Sequence, residues 1–207
     1  MPHGLFFTGT DTGCGKTTAA VDYMNRLKVA NISVAGFKPV SAGCEHSPQG
    51  LRHADALKLQ DNASVNFNYE TINPYAFEPA IAPHIAAQLA GVTIEIDAIV
   101  TCYQTLRESV DQVIVEGAGG WLVPINSRQT MADVAKALNT EIILVVGMKL
   151  GCLNHAMLTY QSIINHHCHV AGWIANTLDP HMPQLTDNIH YLKNHFDAPL
   201  LHILDAD

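Results

Sequence analysis

Short apolar runs alternate along the chain with longer segments in which apolar and polar residues follow a helical period. The apolar runs are rich in β-branched and aromatic residues and do not alternate with polar ones. This pattern is typical of strands that are buried on both faces of a parallel sheet. It predicts strands at residues 5–8, 34–40, 112–116, 141–147, 170–176 and 199–204.

The segments between these strands predict helices at residues 16–29, 55–61, 81–89, 94–110, 130–138, 153–166 and 183–195. Strands that alternate with helices are typical of a doubly wound α/β protein. We therefore expect residues 1–207 to form one domain, with a mainly parallel sheet and helices on both of its faces. The polar, proline-containing stretches 44–50 and 62–79 are predicted to be loops, and loops of this length are often functional.

Composition and charge narrow the range of partners. The chain is 48% hydrophobic and 14% charged, which indicates a globular rather than a disordered protein. Its formal net charge of -8 would repel nucleic acids and anionic membranes. The longest stretch without Asp, Glu, Lys or Arg, residues 150–178, contains several Asn and His residues that disfavour a membrane span. We expect neither a nucleic-acid nor a membrane partner, so any phosphate must be bound by a local motif.

The cysteines and histidines do not form a recognisable metal or disulfide pattern. The five cysteines are odd in number and widely spaced, and the N-terminus lacks the basic region of a signal peptide. Both observations favour a reduced, cytoplasmic protein. Residues 165–169 are rich in histidine, but their spacing fits no tetrahedral site. We favour a helix end over a metal site there.

The strongest local motif is Thr8–Thr17, which follows the first predicted strand and opens the first helix. Its glycines allow backbone N–H groups to turn toward a phosphate, while Lys16 can reach the β and γ oxygens and Thr17 can bind Mg²⁺. The spacing departs from the usual P-loop, because Thr10 occupies the position of its first glycine and Gly9 comes one residue early. A glycine-rich turn without a ligand is the less favoured alternative.

Several further residues lie where strands end or helices begin. Glu116 ends a buried strand and could direct an oxygen to a metal, or it could be an ordinary solvated acid. Lys38, near the end of the second strand, could neutralise a transferred phosphoryl group or simply face water. Asp55 begins a helix, which by itself favours a capping role. Residues 148–156 could present free N–H groups to a carboxylate, or form a plain turn.

Taken together, these motifs resemble the dethiobiotin synthetase family over nearly the whole chain. The matching segments are Thr8–Thr12 with Gly15–Thr17, Gly36–Val40, Asp55–Leu57, Asn73–Tyr75, Pro83–His84, Val115–Trp121 and Lys149–Ala156. The resemblance implies the P-loop nucleoside triphosphate hydrolase fold. It also implies a ligase that closes the ring of dethiobiotin from 7,8-diaminopelargonate, CO₂ or bicarbonate, and ATP. In that reaction ATP phosphorylates a carbamate, the second amine attacks the mixed anhydride, and ADP and phosphate are released.

The resemblance also assigns roles to residues of this chain. It implies a catalytic role for Thr12, Lys16 and Lys38, and Mg²⁺ binding by Thr17, Asp55 and Glu116, which replaces the capping interpretation of Asp55. Nucleotide binding falls to Gly13, Cys14, Gly15, Lys16, Thr17, Thr18, Asp55, Glu116, Gly117, Ala118, Gly119, Asn176 and Thr177, with Asn176 at the base. Substrate binding falls to Lys38, Ser41, Ala42, Pro83, Gly151, Cys152, Leu153 and Asn154. The last four are expected to act across a homodimer interface.

Three features depart from the family pattern. Gly13 and Cys14 stand where an acidic residue and a valine are expected, which predicts a more flexible loop and one lost contact. Ser41 and Ala42 are in reversed order, which places the substrate-contacting hydroxyl one residue early. Relatives also continue beyond the position of Asp207 with residues that enclose the adenine.

Two other P-loop classes are alternatives. A nucleotide switch that organises a protein partner would carry a signature lysine early in the loop, where this chain has Asp11. It would also need a basic or amphipathic anchoring tail, which we do not find. A cobyrinate amidase relative would need a fused glutaminase, for which 207 residues leave no room. The ligase therefore remains the favoured interpretation.

Overall fold

A computed structural model describes residues 4–205 of the chain. The predictions about the first three residues and about Ala206 and Asp207 lie outside the described residues. The strands are β1 (Gly4–Gly9), β2 (Val34–Phe37), β3 (Val40–Ala42), β4 (Glu45–Ser47), β5 (Gly50–Arg52), β6 (Tyr75–Phe77), β7 (Gln112–Glu116), β8 (Glu141–Met148), β9 (Val170–Thr177) and β10 (Leu200–Leu204). The helices are α1 (Lys16–Val29), α2 (Ala54–Asp61), α3 (Tyr69–Ile72), α4 (Pro83–Leu89), α5 (Ile96–Arg107), α6 (Met131–Ala137), α7 (Cys152–Asn165) and α8 (Leu185–His195).

A six-stranded parallel sheet organises the fold, with the strand order β10-β9-β8-β1-β7-β2. Consecutive side chains of its strands point to opposite faces, so that Phe6 packs in one apolar core while Leu5 and Phe7 pack in another. Helices α1 and α2 cover the second core, and α4 to α8 contribute to the first. The prediction of a doubly wound parallel sheet with helices on both faces is confirmed.

The strand order places the ligand-binding edge next to β1. From β1 the chain first passes to β2 at one edge of the sheet and later returns to β7, which lies between them. It then crosses to the other side of β1 and continues outward through β8, β9 and β10. In open parallel sheets, ligands bind beyond the carboxyl ends of the strands where the order reverses. The segment after β1 and the last residue of β7, Glu116, therefore meet at this edge.

The predicted strand 34–40 is wrong in one respect, because the chain leaves the main sheet at Lys38. Pro39 has no N–H to donate to a ladder, and the N–H of Lys38 donates to the carbonyl of Ile72 at 2.8 Å. The following residues form β3, which pairs with β6 in a separate small sheet. Lys38 thus stands free of the main sheet at the edge where ligands bind.

The two predicted loops also contain short elements that the sequence analysis missed. Residues 44–50 contribute to the β4–β5 hairpin, and residues 62–79 contain α3 and β6. Segments of three or four residues are too short to show a hydrophobic period. The histidine-rich stretch lies where predicted, between the end of α7 and the start of β9. Within residues 4–205 no helix is long and apolar enough to cross a membrane.

Candidate active site

A cavity of about 740 Å³ lies beyond the carboxyl ends of β1, β2 and β7. This volume is within the range typical of small-molecule sites. The structure brings most of the predicted site residues to its wall, namely Thr12, Gly13, Gly15, Lys16, Thr17, Thr18, Lys38, Ser41, Ala42, Asp55, Pro83, Glu116, Ala118 and Gly119. The predicted phosphate, metal and substrate residues therefore share one space.

The P-loop joins β1 to α1. Gly15 is the N-cap of α1 and has a φ of 89°, a conformation that favours glycine. Lys16 is buried, and its Nζ donates to the carbonyl oxygen of Asp11 at 3.0 Å. Cys14 is buried, and its carbonyl accepts a hydrogen bond of 3.0 Å from the side-chain amide of Asn176. The first residues of α1, Lys16, Thr17 and Thr18, line the cavity, and the N–H groups of a helix N-terminus are suited to bind phosphate.

A lysine and two carboxylates form the charged centre of the cavity. Lys38 Nζ lies 2.5 Å from Glu116 Oε1 and 3.3 Å from Asp55 Oδ2. The Thr17 hydroxyl donates to the same Glu116 oxygen at 2.9 Å. Lys38 and Glu116 are both buried, while Asp55 is partly exposed. The opposite charges of this centre thus come from three separate segments of the chain, and they lie together beside the P-loop.

The charges at this centre stabilise one another. Burial alone would lower the pKa of Lys38, but the Glu116 and Asp55 carboxylates outweigh burial and raise it above its usual value. Burial would raise the pKa of Asp55, whereas Lys38, His53 and the Thr17 hydroxyl lower it more strongly. Lys38 is consequently a cation and Asp55 an anion near neutral pH.

The oxygen atoms at this centre suit Mg²⁺. The Glu116 Oε2 atom is buried and has no hydrogen-bond partner among the described residues, and the Thr17 hydroxyl lies beside the same carboxylate. Asp55 supplies a second carboxylate close by. Mg²⁺ is usually held by one or two carboxylates together with substrate phosphates, so the residues present fit the ion.

Three of the residues predicted to bind substrate, Ser41, Ala42 and Pro83, line the cavity. Ser41 is buried, and its hydroxyl donates to Asn73 Oδ1 at 2.7 Å. Ala42 is the more exposed of the two β3 residues. The reversed order of Ser41 and Ala42 thus gives the serine a protein partner and presents a methyl group at the neighbouring position.

The remaining predicted residues lie outside the cavity wall. Asn176 and Thr177 are buried at the end of β9, and Cys14 and Gly117 lie behind the wall. The residues expected to act across an interface, Gly151, Cys152, Leu153 and Asn154, begin α7. One ion pair connects that turn to the P-loop, because Lys149 Nζ lies 3.2 Å from Asp11 Oδ2.

Sequence reasoning missed His53, which lines the cavity one position before α2. Its Nδ1 accepts the N–H of Asp55 at 3.2 Å, so that His53, rather than Asp55, caps the helix. The available signal was its position two residues before the predicted helix 55–61, although histidine is not among the preferred capping residues. His53 therefore helps to orient the carboxylate-bearing turn.

The cap should make folding sensitive to acid. Burial lowers the pKa of His53 below its usual value of about 6.5, so the unfolded chain binds its proton first as the pH falls. The free energy of unfolding should therefore decrease as the pH falls through about 6.5 toward the folded-state pKa. His53→Asn keeps a capping acceptor and should flatten this decrease, measured by urea unfolding across that range. The exposed His46→Asn serves as control, and equal flattening in both variants would contradict the assignment.

Comparisons with known proteins match nearly the whole chain. A family model described as AAA domain matches residues 3–206. The ATP-dependent dethiobiotin synthetase BioD of Cellvibrio japonicus is 45% identical over 201 residues, which cover 97% of this chain and 88% of the relative. The protein of the same name from Pseudomonas aeruginosa strain UCBPP-PA14 is 44% identical over 205 residues, with the same coverage of both chains.

Solved structures match the fold at much lower identity. The septum site-determining protein MinD of Pyrococcus horikoshii superposes with a TM-score of 0.60 and 14% identity, covering all of this chain and 82% of its own. A ParA family ATPase of Chlorobium tepidum gives a TM-score of 0.60 at 16% identity and covers 86% of its own chain. These likenesses confirm the P-loop fold alone. The sequence relatives, which match nearly the whole chain at more than two-fifths identity, show that it belongs to the dethiobiotin synthetase family.

Proposed function

We propose that this protein catalyses the ATP-dependent ring closure of 7,8-diaminopelargonate with CO₂ to dethiobiotin. The observation that carries the proposal is the placement of the Lys38 ammonium group beside the P-loop, between Glu116 and Asp55, in a cavity large enough for both substrates. The reaction requires phosphate and carbamate oxygens to meet at one cationic point. Membership of the family supports the same reaction.

The position of each residue in the cavity supports a separate role in the reaction. The N–H groups at the start of α1 and Lys16 hold the β and γ phosphates of ATP, with Thr12, Gly13 and Thr18 at the edge of the loop. Lys38 neutralises negative charge on two groups, the attacking carbamate oxygen and the phosphoryl group that is transferred to this oxygen. Phosphoryl transfer depends mainly on such positioning and charge neutralisation, so no protein nucleophile is needed.

Magnesium and the base contact extend the proposal. Thr17, Asp55 and Glu116 would hold Mg²⁺, which supplies charge neutralisation at the transferred phosphate. Ala118 and Gly119 follow Glu116 along the wall, with Gly117 behind them. We assign Asn176 and Thr177 to the base of the nucleotide. The side-chain amide of Asn176 donates a hydrogen bond to the carbonyl oxygen of Cys14. Residues 1–207 would act as one cytoplasmic ATP-binding domain without a nucleic-acid or membrane partner.

The product itself tests the proposal. The protein is incubated with ATP, Mg²⁺, 7,8-diaminopelargonate and carbon-13-labelled bicarbonate, and the products are analysed by mass spectrometry. We expect labelled dethiobiotin and an equal amount of ADP. ATP hydrolysis that is independent of the diamine, with no labelled product, would instead favour the nucleotide-switch class.

We further propose a homodimer in which the start of α7 completes the partner's site. Helix α7 contains no Asp, Glu, Lys or Arg. Leu150, just before the helix, and Leu158, at its middle, are 97% and 63% exposed. Interface cores are depleted of charge, which fits this face. The N–H of Cys152 donates to the Lys149 carbonyl, so the next N–H groups of the first turn, those of Leu153 and Asn154, are the ones that suit the substrate carboxylate, and Asn154 is exposed.

Complementation tests the shared site. A Lys16→Ala chain is mixed with an Asn154→Trp chain, because a substitution at Gly151 would add strain at its positive φ of 91°. Each variant alone should be nearly inactive, whereas one of the two sites in a mixed dimer should regain activity. Light scattering establishes the oligomeric state. A monomer, or mixed dimers without recovered activity, would overturn the proposal.

A further inference from the structure

Asn73 is a buried amide whose hydrogen-bonding groups all contact the protein. The residue is only 2% exposed. Its Oδ1 accepts hydrogen bonds from the hydroxyl groups of Ser41 at 2.7 Å and Tyr69 at 2.9 Å. Its Nδ2 donates to the carbonyl oxygens of Lys38 at 2.6 Å and Tyr75 at 3.4 Å. A buried amide with this many partners has one orientation, because each alternative leaves polar groups unpaired.

The first branch from Asn73 holds the backbone of Lys38. The chain leaves the main sheet at this lysine, so the regular strand ladder does not fix its position. The N–H of Lys38 is bound by Ile72, and its carbonyl is bound by the Asn73 side chain. Both backbone groups of the lysine are therefore held by two consecutive residues at the end of α3.

The second branch reaches the carboxylate side of the cavity. The Tyr69 hydroxyl donates to Asn73 and accepts the N–H of His53 at 2.8 Å. His53 in turn caps α2 through the N–H of Asp55. The position of the Asp55 turn is thereby connected to the same amide that holds Lys38.

We propose that Asn73 is a positioning residue for the ring closure. Its hydrogen bonds fix the position of Lys38 relative to that of Asp55. This inference rests on the proposed function. Lys38 Nζ and Asp55 Oδ2 lie 3.3 Å apart, so small shifts of either backbone change the charge presented to the transferred phosphoryl group. Ser41, whose hydroxyl is bound to Asn73, belongs to this positioning network.

Two variants separate the branches. Asn73→Ala removes both, while Tyr69→Phe removes only the hydroxyl that leads to His53 and Asp55. Loss of a residue that orients the groups of an active site or metal site typically lowers activity or metal affinity roughly 10-fold to 100-fold. We therefore expect Asn73→Ala to lower kcat by a similar factor. At saturating Mg²⁺ the KM for ATP should stay within about threefold, because Asn73 makes no hydrogen bond to the P-loop. Tyr69→Phe should raise the Mg²⁺ concentration needed for half-maximal ATP binding and lower kcat less.

Asn126→Ala is the matched control. Its side chain also orders a loop, by donating to the carbonyl of Ile94 and accepting the N–H of Gln129, but it does not line the cavity. Thermal unfolding and kcat are measured for all three variants. If Asn73→Ala fails to fold, the positioning role is tested with Tyr69→Phe alone. The measurement is then the Mg²⁺ dependence of its ATP binding, which requires no turnover.

The outcomes distinguish this inference from the proposed function. A wild-type protein that makes no dethiobiotin refutes the proposed function, and with it the role of Asn73 in that reaction. A wild-type protein that does make it, together with an unchanged kcat in folded Asn73→Ala, refutes the positioning role alone. Equal losses of kcat in Asn73→Ala and Asn126→Ala, or an unchanged Mg²⁺ dependence in Tyr69→Phe, would also overturn it. A loss of kcat that is large in Asn73→Ala, smaller in Tyr69→Phe and absent in Asn126→Ala, with the KM for ATP unchanged at saturating Mg²⁺, supports it.

Discussion

Replacing Lys38 with alanine is expected to lower kcat by roughly 10² to 10³, which is the scale for removing one preorganised group that stabilises developing charge. The ammonium group lies between Glu116 and Asp55, where it can meet the carbamate and the transferred phosphoryl group but not the base of the nucleotide. The interaction strengthens as charge develops, so the KM for ATP should change much less than kcat. Steady-state kinetics with saturating 7,8-diaminopelargonate measure both parameters.

The same substitution should also destabilise the protein, and this effect must be separated from catalysis. Glu116 is 1% exposed, and removing one partner of a buried ion pair typically costs about 3–5 kcal/mol. Lys38→Met together with Glu116→Gln removes both charges and should recover part of the free energy of unfolding without recovering kcat. The exposed Lys136→Ala controls for loss of a positive charge. Near-normal turnover of Lys38→Ala would contradict the assignment.

The main sheet was predictable because its strands are buried on both faces. Residues such as Val113–Val115 and Ile142–Val146 are almost fully buried, and the apolar pattern that burial requires is visible in the sequence. The exit of the chain at Lys38 was not predicted. Val40 is as apolar as Val34 at the start of β2, and only Pro39 signalled that the ladder would stop.

The charged centre was predictable in part. Strand order brings the ends of β1 and β7 together, so the P-loop and Glu116 could be placed at one edge from the sequence. The hydrogen bonds of His53 and Asn73 could not be predicted. These residues lie before a helix and in a predicted loop, where no hydrophobic period fixes the direction of a side chain. Their roles depend on contacts between segments that are distant in the sequence.

The structural likenesses alone would not have separated the function classes. MinD and ParA share the fold with this chain at 14% and 16% identity. Function follows from the site rather than from the fold. Asp11 stands where a nucleotide switch is expected from the sequence analysis to carry its signature lysine, and it is paired with Lys149. The hydrogen bond from Lys149 also lowers the pKa of Asp11, so the loop carries an anion at this position.

Replacing Gly15 with alanine is expected to weaken ATP binding at least about 100-fold, which corresponds to nearly 3 kcal/mol. Gly15 has a φ of 89°, and left-handed backbone costs other residues roughly 1–2 kcal/mol. A Cβ atom at this position would also overlap the side-chain amide of Asn176. Displacing that amide releases the Cys14 carbonyl, so the N–H groups at the start of α1 lose their alignment toward the phosphate. Isothermal titration with ATP and Mg²⁺ measures the loss.

Gly13→Ala separates backbone strain from this overlap. Gly13 lies in the same loop and has a φ of 69°, but a Cβ atom there would meet nothing within 4 Å. Its loss of affinity should therefore reflect strain alone and be clearly smaller than that of Gly15→Ala. Asn176→Ala alone releases the Cys14 carbonyl without adding a Cβ atom at residue 15, and it should therefore reproduce part of the loss seen in Gly15→Ala. Equal losses in Gly13→Ala and Gly15→Ala would show instead that positive φ, and not the packing of Asn176 against the loop, makes glycine necessary at the start of α1.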